Sequence, residues 1–201
     1  MYKGLNRFRL IALAVVATLA VGGWLAFKPD SSSNQATEPV NISGGQSVSQ
    51  DASGTAFIET ADFKYEIPAG WLQMKKEVLE QTGATSGIGR VSSSSATFAT
   101  RVSSSTPKND DELKNNSLDD IKKNAPNFAL LSSLSTKVDG RSGYKFTYSF
   151  TDKDGQNKLR QQMNVIPYKG KTFFLLFSSA AADYDKQTTE FNKILVSFKF
   201  K

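Results

Sequence analysis

The sequence contains no cysteine and no histidine among its 201 residues. Without cysteine the fold cannot depend on disulfide bonds, and no processed cysteine can carry a lipid. Without histidine the chain lacks Ser-His and Cys-His nucleophile pairs, the usual zinc ligands and the best proton-transfer group near neutral pH. We therefore expect no catalytic residue, no metal site and no cofactor.

Long apolar runs are also scarce, with one exception near the N-terminus. Residues 10–27 read LIALAVVATLAVGGWLAF, without a charge. As a helix this run would reach roughly 27 Å, close to the thickness of a bilayer core. Lys3, Arg7 and Arg9 precede it, whereas only Lys28 follows closely. This imbalance predicts a cytoplasmic tail at residues 1–9 and places the rest of the chain outside the cell membrane.

Two interpretations of this run stay open. Ala20 and Gly22 fit the small positions of a signal-peptidase site, which would release the chain after residue 22. Trp24, Leu25 and Phe27 carry the apolar run past that site, which favours a retained single-pass anchor. We expect a transmembrane helix at 10–27, with secretion after cleavage as the alternative.

The next segment, residues 28–55, is rich in Ser, Asn, Gln, Gly and Thr. This composition predicts a disordered linker. At about 5 to 6 Å times the square root of its length, it would hold the following domain roughly 30 Å from the membrane.

The net charge of +6 is spread along the chain and shows no dense basic cluster. Such an excess favours loose contact with an anionic envelope polymer or with lipid headgroups. The predicted location outside the cell makes nucleic acid an unsuitable partner. An envelope protein is the other expected partner, and the oligomeric state is not indicated.

A folded domain is predicted for residues 56–201. Apolar and charged residues alternate over 63–67, which predicts a strand with one buried face. Pro68 ends the strand because it has no N–H, and Gly70 allows a tight turn. We expect Trp71 to cover the edge of the core and residues 71–78 to form a second strand.

The middle of the domain mixes loop and helix signals. Residues 81–95 are rich in Gly, Ser and Thr and predict a mobile hairpin loop, followed by a strand at 96–102. Asn109 and Glu112 have the spacing of a capping box, so a helix should begin there and end before Pro126.

The second half predicts an antiparallel meander followed by a helix. Apolar residues mostly alternate with polar ones over 128–138, and aromatic residues alternate over 144–150. The apolar run 173–177 fits a central strand covered on both faces. A final helix is expected at 183–195. The predicted class is α+β, with an antiparallel sheet sandwiched between helices.

Three residues are candidates for a binding surface or a site. Asp62 and Glu66 lie on one face of the first predicted strand, where they could form a carboxylate pair for acid–base chemistry. Solvated charges are ordinary on such a face, however. Trp71 could serve as an exposed ligand platform, although a tryptophan beside a strand end usually covers apolar neighbours.

Four short motifs resemble the PsbP-like family, whose members include the photosystem II extrinsic subunit, bacterial lipoproteins and a nuclear Ran-binding branch. They are Phe63–Trp71 (FKYEIPAGW), Val138–Tyr144 (VDGRSGY), Gly170–Leu176 (GKTFFLL) and Ile194–Phe198 (ILVSF). The resemblance covers about residues 57–199. It implies an antiparallel sheet between helices and, generally, no catalytic activity. Neither the photosystem role nor Ran binding carries over, since the chain lacks histidine and a lumen-type transit peptide and is predicted to be exported.

The expected function is therefore a non-catalytic, membrane-anchored binding or assembly module of a bacterial envelope. Two alternatives stay open. The first is an envelope hydrolase that uses carboxylates alone, for which Asp62 and Glu66 are the candidates. The second is a carrier of a small ligand, which would require a deep apolar pocket.

Overall fold

The computed structural model describes residues 46–90, 96–152 and 155–201. The predicted tail at 1–9, the apolar run at 10–27 and most of the predicted linker lie outside these residues. No helix within the described ranges combines the length and apolar character that crossing a membrane requires.

The described residues form eleven strands and three helices. The strands are β1 Ser47–Gln50, β2 Ala56–Glu59, β3 Phe63–Glu66, β4 Trp71–Gln73, β5 Ser86–Arg90, β6 Thr97–Ser103, β7 Ala129–Val138, β8 Arg141–Thr151, β9 Lys158–Tyr168, β10 Lys171–Ala180 and β11 Lys199–Phe200. The helices are α1 Lys76–Thr82, α2 Asp110–Asn124 and α3 Tyr184–Ser197.

The strands form two antiparallel sheets. The larger has seven strands in the order β4-β5-β6-β10-β9-β8-β7, and the smaller has four in the order β1-β2-β3-β11. Helix α3 and the small sheet cover one face of the large sheet, whereas α1 and α2 lie on the other. The predicted α+β class with an antiparallel sheet is confirmed. The separate small sheet is an addition that the sequence pattern did not indicate.

Strand β10 joins the two main cores. Phe173, Leu175 and Phe177 belong to the core under α3 and the small sheet. Phe174 and Leu176 belong to the core under α2. Side chains alternate between the two faces of a strand, so an apolar run satisfies both. The prediction of a central strand covered on both sides is confirmed.

The first strand and its turn also follow the predicted pattern. In β3 the residues Phe63 and Tyr65 are buried, and the residues between and after them are exposed. Gly70 adopts a φ of 79°, which a side chain would strain. The N–H of Trp71 donates to the carbonyl of Pro68 at 3.0 Å and closes the turn.

The predicted start of helix α2 is confirmed. The N-cap Asn109 accepts a hydrogen bond from the N–H of Glu112 at 2.8 Å. The Glu112 carboxylate accepts from the N–H of Lys108 at 2.7 Å, one residue before the position a strict capping box uses. The helix ends at Asn124, two residues before Pro126.

The folded region begins earlier than Ala56, so part of the predicted linker is strand. Ser47–Gln50 pairs with Ala56–Glu59, and Val48 packs against the core. The Asp51 side chain accepts bonds from the backbone N–H groups of Ser53 and Thr55, both at 2.9 Å, which holds the connecting turn. A four-residue strand with one apolar side chain is too short to produce a periodic signal.

The predicted strand at 71–78 is corrected, and so is the predicted mobile loop over residues 81–90, whereas residues 91–95 of that loop lie outside the described residues. Strand β4 ends at Gln73 and helix α1 follows it. Residues 86–90 form the buried strand β5 rather than a loop. A Cβ at Gly87 would lie 2.5 Å from Sδ of the buried Met74. Gly87 therefore allows close packing. The glycine-rich composition of this segment does not by itself distinguish close packing from flexibility.

The predicted burial along residues 128–138 is wrong for the leucines. Leu130, Leu131 and Leu134 are all exposed. Strand β7 lies at the edge of the large sheet, and its register with β8 shifts between Leu130 and Ser132. An edge position and a bulge both leave apolar side chains uncovered, and neither can be read from alternation alone.

Candidate functional site

Trp71 lies in the core. Its side chain is 4% exposed. The indole packs against the ring of Phe191 on α3, with ring centroids 6.3 Å apart at 70°. Within the described residues its Nε1 has no hydrogen-bond partner. This arrangement makes Trp71 a packing residue between β4 and α3 and leaves little surface for stacking a ligand.

Asp62 lies in the turn before β3, where it holds the C-terminal end of the chain. Its Oδ1 accepts a hydrogen bond from Nζ of Lys171 at 2.6 Å. Its backbone carbonyl accepts from the N–H of Lys201 at 3.0 Å. The carboxylate is thus engaged in an ion pair that joins two turns and the chain end.

The structure does not bring Glu66 together with Asp62. Glu66 is exposed at the end of β3, and its N–H donates to Oγ of Ser197 at 3.0 Å. Strand β3 alone spans about 10 Å from Phe63 to Glu66, and Asp62 precedes it. Asp62 therefore lies at the opposite end of the strand from Glu66, where its carboxylate is paired with Lys171.

Ion pairs surround Asp62 and form what we call the C-terminal clasp. Its members are Glu59, Asp62, Asp139, Lys171, Lys199 and Lys201. Lys201 Nζ lies 2.8 Å from Glu59 Oε1, and Lys199 Nζ lies 3.0 Å from Asp139 Oδ1. The clasp fastens β11 against the turns that precede β3 and β8.

The clasp changes the acidity of two carboxyl groups. The hydrogen bond and charge of Lys201 lower the pKa of Glu59. Burial opposes ionisation of Asp139, but hydrogen bonds from Lys199 and from the N–H of Phe200 outweigh burial and lower its pKa. Both groups therefore stabilise the fold above their ordinary pKa, and this contribution is lost as the pH falls through their lowered values.

Beside the clasp, a small basic surface forms around one tyrosine, and we call it the basic turn patch: Arg141, Tyr168 and Lys169. The Arg141 guanidinium lies 4.5 Å from the centre of the Tyr168 ring, and Lys169 Nζ lies 5.2 Å from it. Lys169 also donates to the carbonyl of Lys201 at 2.9 Å. Cations held over an aromatic face at exposed turns present positive charge to the surroundings.

A small cleft lies between α2 and the strands β6 and β10. Its volume is about 30 Å³. The lining residues are Ser103, Ser105, Pro107, Leu113, Asn116, Ser117, Asp120, Thr172 and Phe174. This volume holds about one water molecule, far less than the roughly 300 Å³ at which ligand pockets begin.

Asp120, at this cleft, faces the charge of Arg101 on β6. Burial raises the pKa of Asp120, and the Arg101 charge partly offsets it. Burial likewise lowers the pKa of the Arg101 guanidinium. The sequence carried one signal for this pair: Asp120 follows Leu113 by seven residues, on the same side of α2 as buried Ser117. Its partner on β6 could not be inferred from the sequence.

Among the residues that the structure describes, no group of three acidic side chains could hold a metal ion. Charged side chains cluster at the C-terminal clasp and at the basic turn patch. The clasp consists of ion pairs, and the patch consists of cations stacked on an aromatic ring.

The family model described as PsbP-like protein matches residues 10–200. The chain therefore belongs to the PsbP-like family, and the resemblance predicted from the four motifs is confirmed. No curated protein matches the chain significantly in sequence.

Two solved structures have a similar fold. The cyanobacterial PsbP protein CyanoP from Synechocystis sp. PCC 6803 is 15% identical, with a TM-score of 0.50, over 84% of this chain and 99% of that protein. LpqN of Mycobacterium tuberculosis is 15% identical, with a TM-score of 0.52, over 78% of this chain and 90% of that protein. At such identities these likenesses show the shared fold alone.

Proposed function

We propose that the chain is a non-catalytic binding or assembly module, anchored in a bacterial cell membrane through residues 10–27 with its domain outside. The observation that carries this proposal is the extent of the family match, which begins at residue 10 and runs to residue 200. The match thus includes the apolar run as well as the folded domain. An uncharged run, a polar linker and a compact domain are together typical of a tethered envelope protein.

The carboxylates of the domain support a binding role over a catalytic one. Glu59, Asp62 and Asp139 are each paired with a lysine of the clasp. Groups paired in this way hold the chain end and are poorly placed to transfer protons. The similar structure LpqN is described as involved in cell envelope biogenesis, a setting that fits this proposal.

The proposed partner is an envelope protein or an anionic envelope polymer. The basic turn patch supports an anionic envelope polymer as the partner. In this patch the side-chain cations of Arg141 and Lys169 both lie over the Tyr168 ring. Long-range attraction from such cations favours polyanions and weakens with salt.

The two alternative functions have less support. A carboxylate-dependent hydrolase would need Asp62 and Glu66 close together, whereas they lie at opposite ends of β3 and Asp62 is paired with Lys171. A small-ligand carrier would need a deep apolar pocket, and the cleft beside α2 holds only about one water molecule.

Fractionation of cells that produce the full-length chain tests the proposal. We expect the protein in the membrane fraction, and we expect protease added outside intact spheroplasts to degrade the domain. A cytoplasmic protein that stays intact in the same sample is the control. A mature form starting near Gly23 in the medium would instead establish secretion, and a protease-protected domain would contradict the proposed orientation.

A further inference from the structure

The first strand begins beside the C-terminal clasp and the basic turn patch. Ser47, the first residue of β1, lies opposite Glu59 of β2. The Glu59 carboxylate pairs with Nζ of Lys201, and the Lys201 carbonyl accepts a hydrogen bond from Lys169 of the patch at 2.9 Å. This series of contacts places the start of β1, the clasp and the patch at one end of the domain, which we call the tethered end.

The tethered end carries an excess of positive charge. Each of the three carboxylates in the clasp is paired with one lysine. Arg141 and Lys169 are exposed beside them, and neither forms an ion pair with a carboxylate in the described part of the chain. Asp139, two residues before Arg141, is already paired with Lys199. The two patch cations are therefore available to an anionic partner.

The predicted linker limits how far the tethered end lies from the bilayer. Eighteen of its residues, 28–45, precede the described chain. A disordered chain of that length, as the composition predicts, spans about 21 to 25 Å on average. The far end of the domain lies about 30 Å away along the ten residues of β10. With residues 10–27 as the anchor, the patch is thus on the side of the domain that faces the membrane.

We propose that the basic turn patch docks on anionic lipid headgroups of the membrane in which the chain is anchored. This inference rests on the anchor of the proposed function. The attraction of the patch for polyanions applies to headgroups as much as to a polymer. Its position decides in favour of headgroups, because the linker holds the patch next to them and a polymer must first reach that space.

The strength of the contact depends on the tether. Each lysine or arginine near an anionic membrane surface strengthens binding roughly fivefold, so two cations alone bind weakly. A short flexible linker makes the contact intramolecular, at an effective concentration on the order of millimolar. The domain therefore docks reversibly, and salt releases it because the screening length falls from about 10 Å at 0.1 M to about 3 Å at 1 M.

Energy transfer in vesicles tests the docking, and the absence of cysteine allows a single dye to be attached. Full-length Ser142→Cys carries the dye next to Arg141, and full-length Ala182→Cys carries it just after β10, at the far end. Each is placed in vesicles of phosphatidylcholine alone or mixed with phosphatidylglycerol, with an acceptor dye on the headgroups. We expect phosphatidylglycerol to raise the Ser142 signal about twofold in 0.1 M salt but not in 1 M salt, and not to raise the Ala182 signal.

Variants of the patch show whether its charge is responsible. Arg141→Gln/Lys169→Gln should abolish the increase at Ser142, whereas Arg141→Lys/Lys169→Arg keeps both charges and should retain it. The matched control is Lys123→Gln/Lys158→Gln, which removes two exposed cations outside the patch and should also retain the increase. Loss of the increase in this control would overturn the assignment to the patch, since net charge alone would then explain the signal.

Flotation of the same samples separates this inference from the proposed function. Flotation with phosphatidylcholine vesicles requires the anchor and not the patch. A chain that floats with them but gives equal Ser142 signals in both vesicle types would overturn the docking and leave the anchor intact. A chain that does not float would overturn both. Patch-dependent binding of soluble polyphosphate, with no difference between the vesicle types, would assign the patch to a polymer and overturn the proposal.

Discussion

The two edges of the large sheet are built in opposite ways. Strand β4 has three residues, its Trp71 is buried against α3, and its neighbour β5 packs against Met74 through Gly87. Strand β7 has ten residues and three exposed leucines. One edge is therefore short and locked to helices by specialised residues, whereas the other is long and uncovered.

This difference teaches where the sheet tolerates change. The β4 edge is covered through two residues that each fit a particular place: the large ring of Trp71 and the closely packed Gly87. Leaving an edge open requires nothing beyond strand-forming residues such as the Ser, Leu and Thr of β7. We therefore expect substitutions at the β4 edge to lower stability strongly and substitutions of the exposed β7 leucines to lower it little.

The largest expected effect is that of Trp71→Ala at the closed edge. Removing a buried indole leaves a cavity beside Phe191, and we expect a loss of about 3 to 5 kcal/mol in the free energy of unfolding. Urea unfolding of residues 46–201 measures it. The neighbouring Leu72→Ala is the control, with an expected loss of less than about 1 kcal/mol. An unchanged midpoint for Trp71→Ala would mean that the indole does not support the core and serves as a binding residue.

A smaller loss is expected for Gly87→Ala at the same edge. The new methyl group would meet Sδ of Met74, and displacing a flexible but buried side chain should cost about 1 to 3 kcal/mol. In the Gly87→Ala/Met74→Ala double variant the clash is absent. The loss of stability measured for the double variant should therefore be smaller than the sum of the losses measured for the two single variants. If the losses of the two single variants add up to that of the double variant, the contact with Met74 is not what makes Gly87→Ala destabilising.

The smallest effect is expected at the open edge. Leu134→Ser should change the free energy of unfolding by less than about 0.5 kcal/mol, because Leu134 is exposed. The matched control on the same strand is Val138→Ser, which removes a buried side chain and should cost at least about 1.5 kcal/mol. A comparable loss for Leu134→Ser would show that β7 is as closed as β4.

The sequence predicted elements whose signals are local. The cap at Asn109, the turn at Gly70 and the two-faced run in β10 each depend on residues within a few positions of one another. Two of the four family motifs, Phe63–Trp71 and Gly170–Leu176, lie on these elements, which helps to explain why the fold class and the family were both predictable.

The remaining features depend on contacts between distant residues. In the sequence the glycines of β5 resemble loop residues, and only the structure shows that Met74 packs against Gly87. The leucines of β7 resemble core residues, and only the structure shows that β7 is at the edge of the sheet. The pairing of Asp62 with Lys171 and of Asp120 with Arg101 joins elements far apart in the chain. Tertiary packing decides each of these and leaves no periodic trace in the sequence.

The position of β1 has a mechanical consequence. It is the first strand of the described residues and forms one edge of the small sheet, whereas β11 and the C-terminal clasp hold the other. A pull on the chain before Gln46 loads the Ser47–Glu59 pair first and opens the β1–β2 ladder one pair at a time. Detaching residues 46–55 releases about 33 Å of extended chain and removes Val48 from the periphery of one core, while β2, β3 and β11 stay paired. The domain thus contains a short extensible segment at the N-terminal side of the described chain.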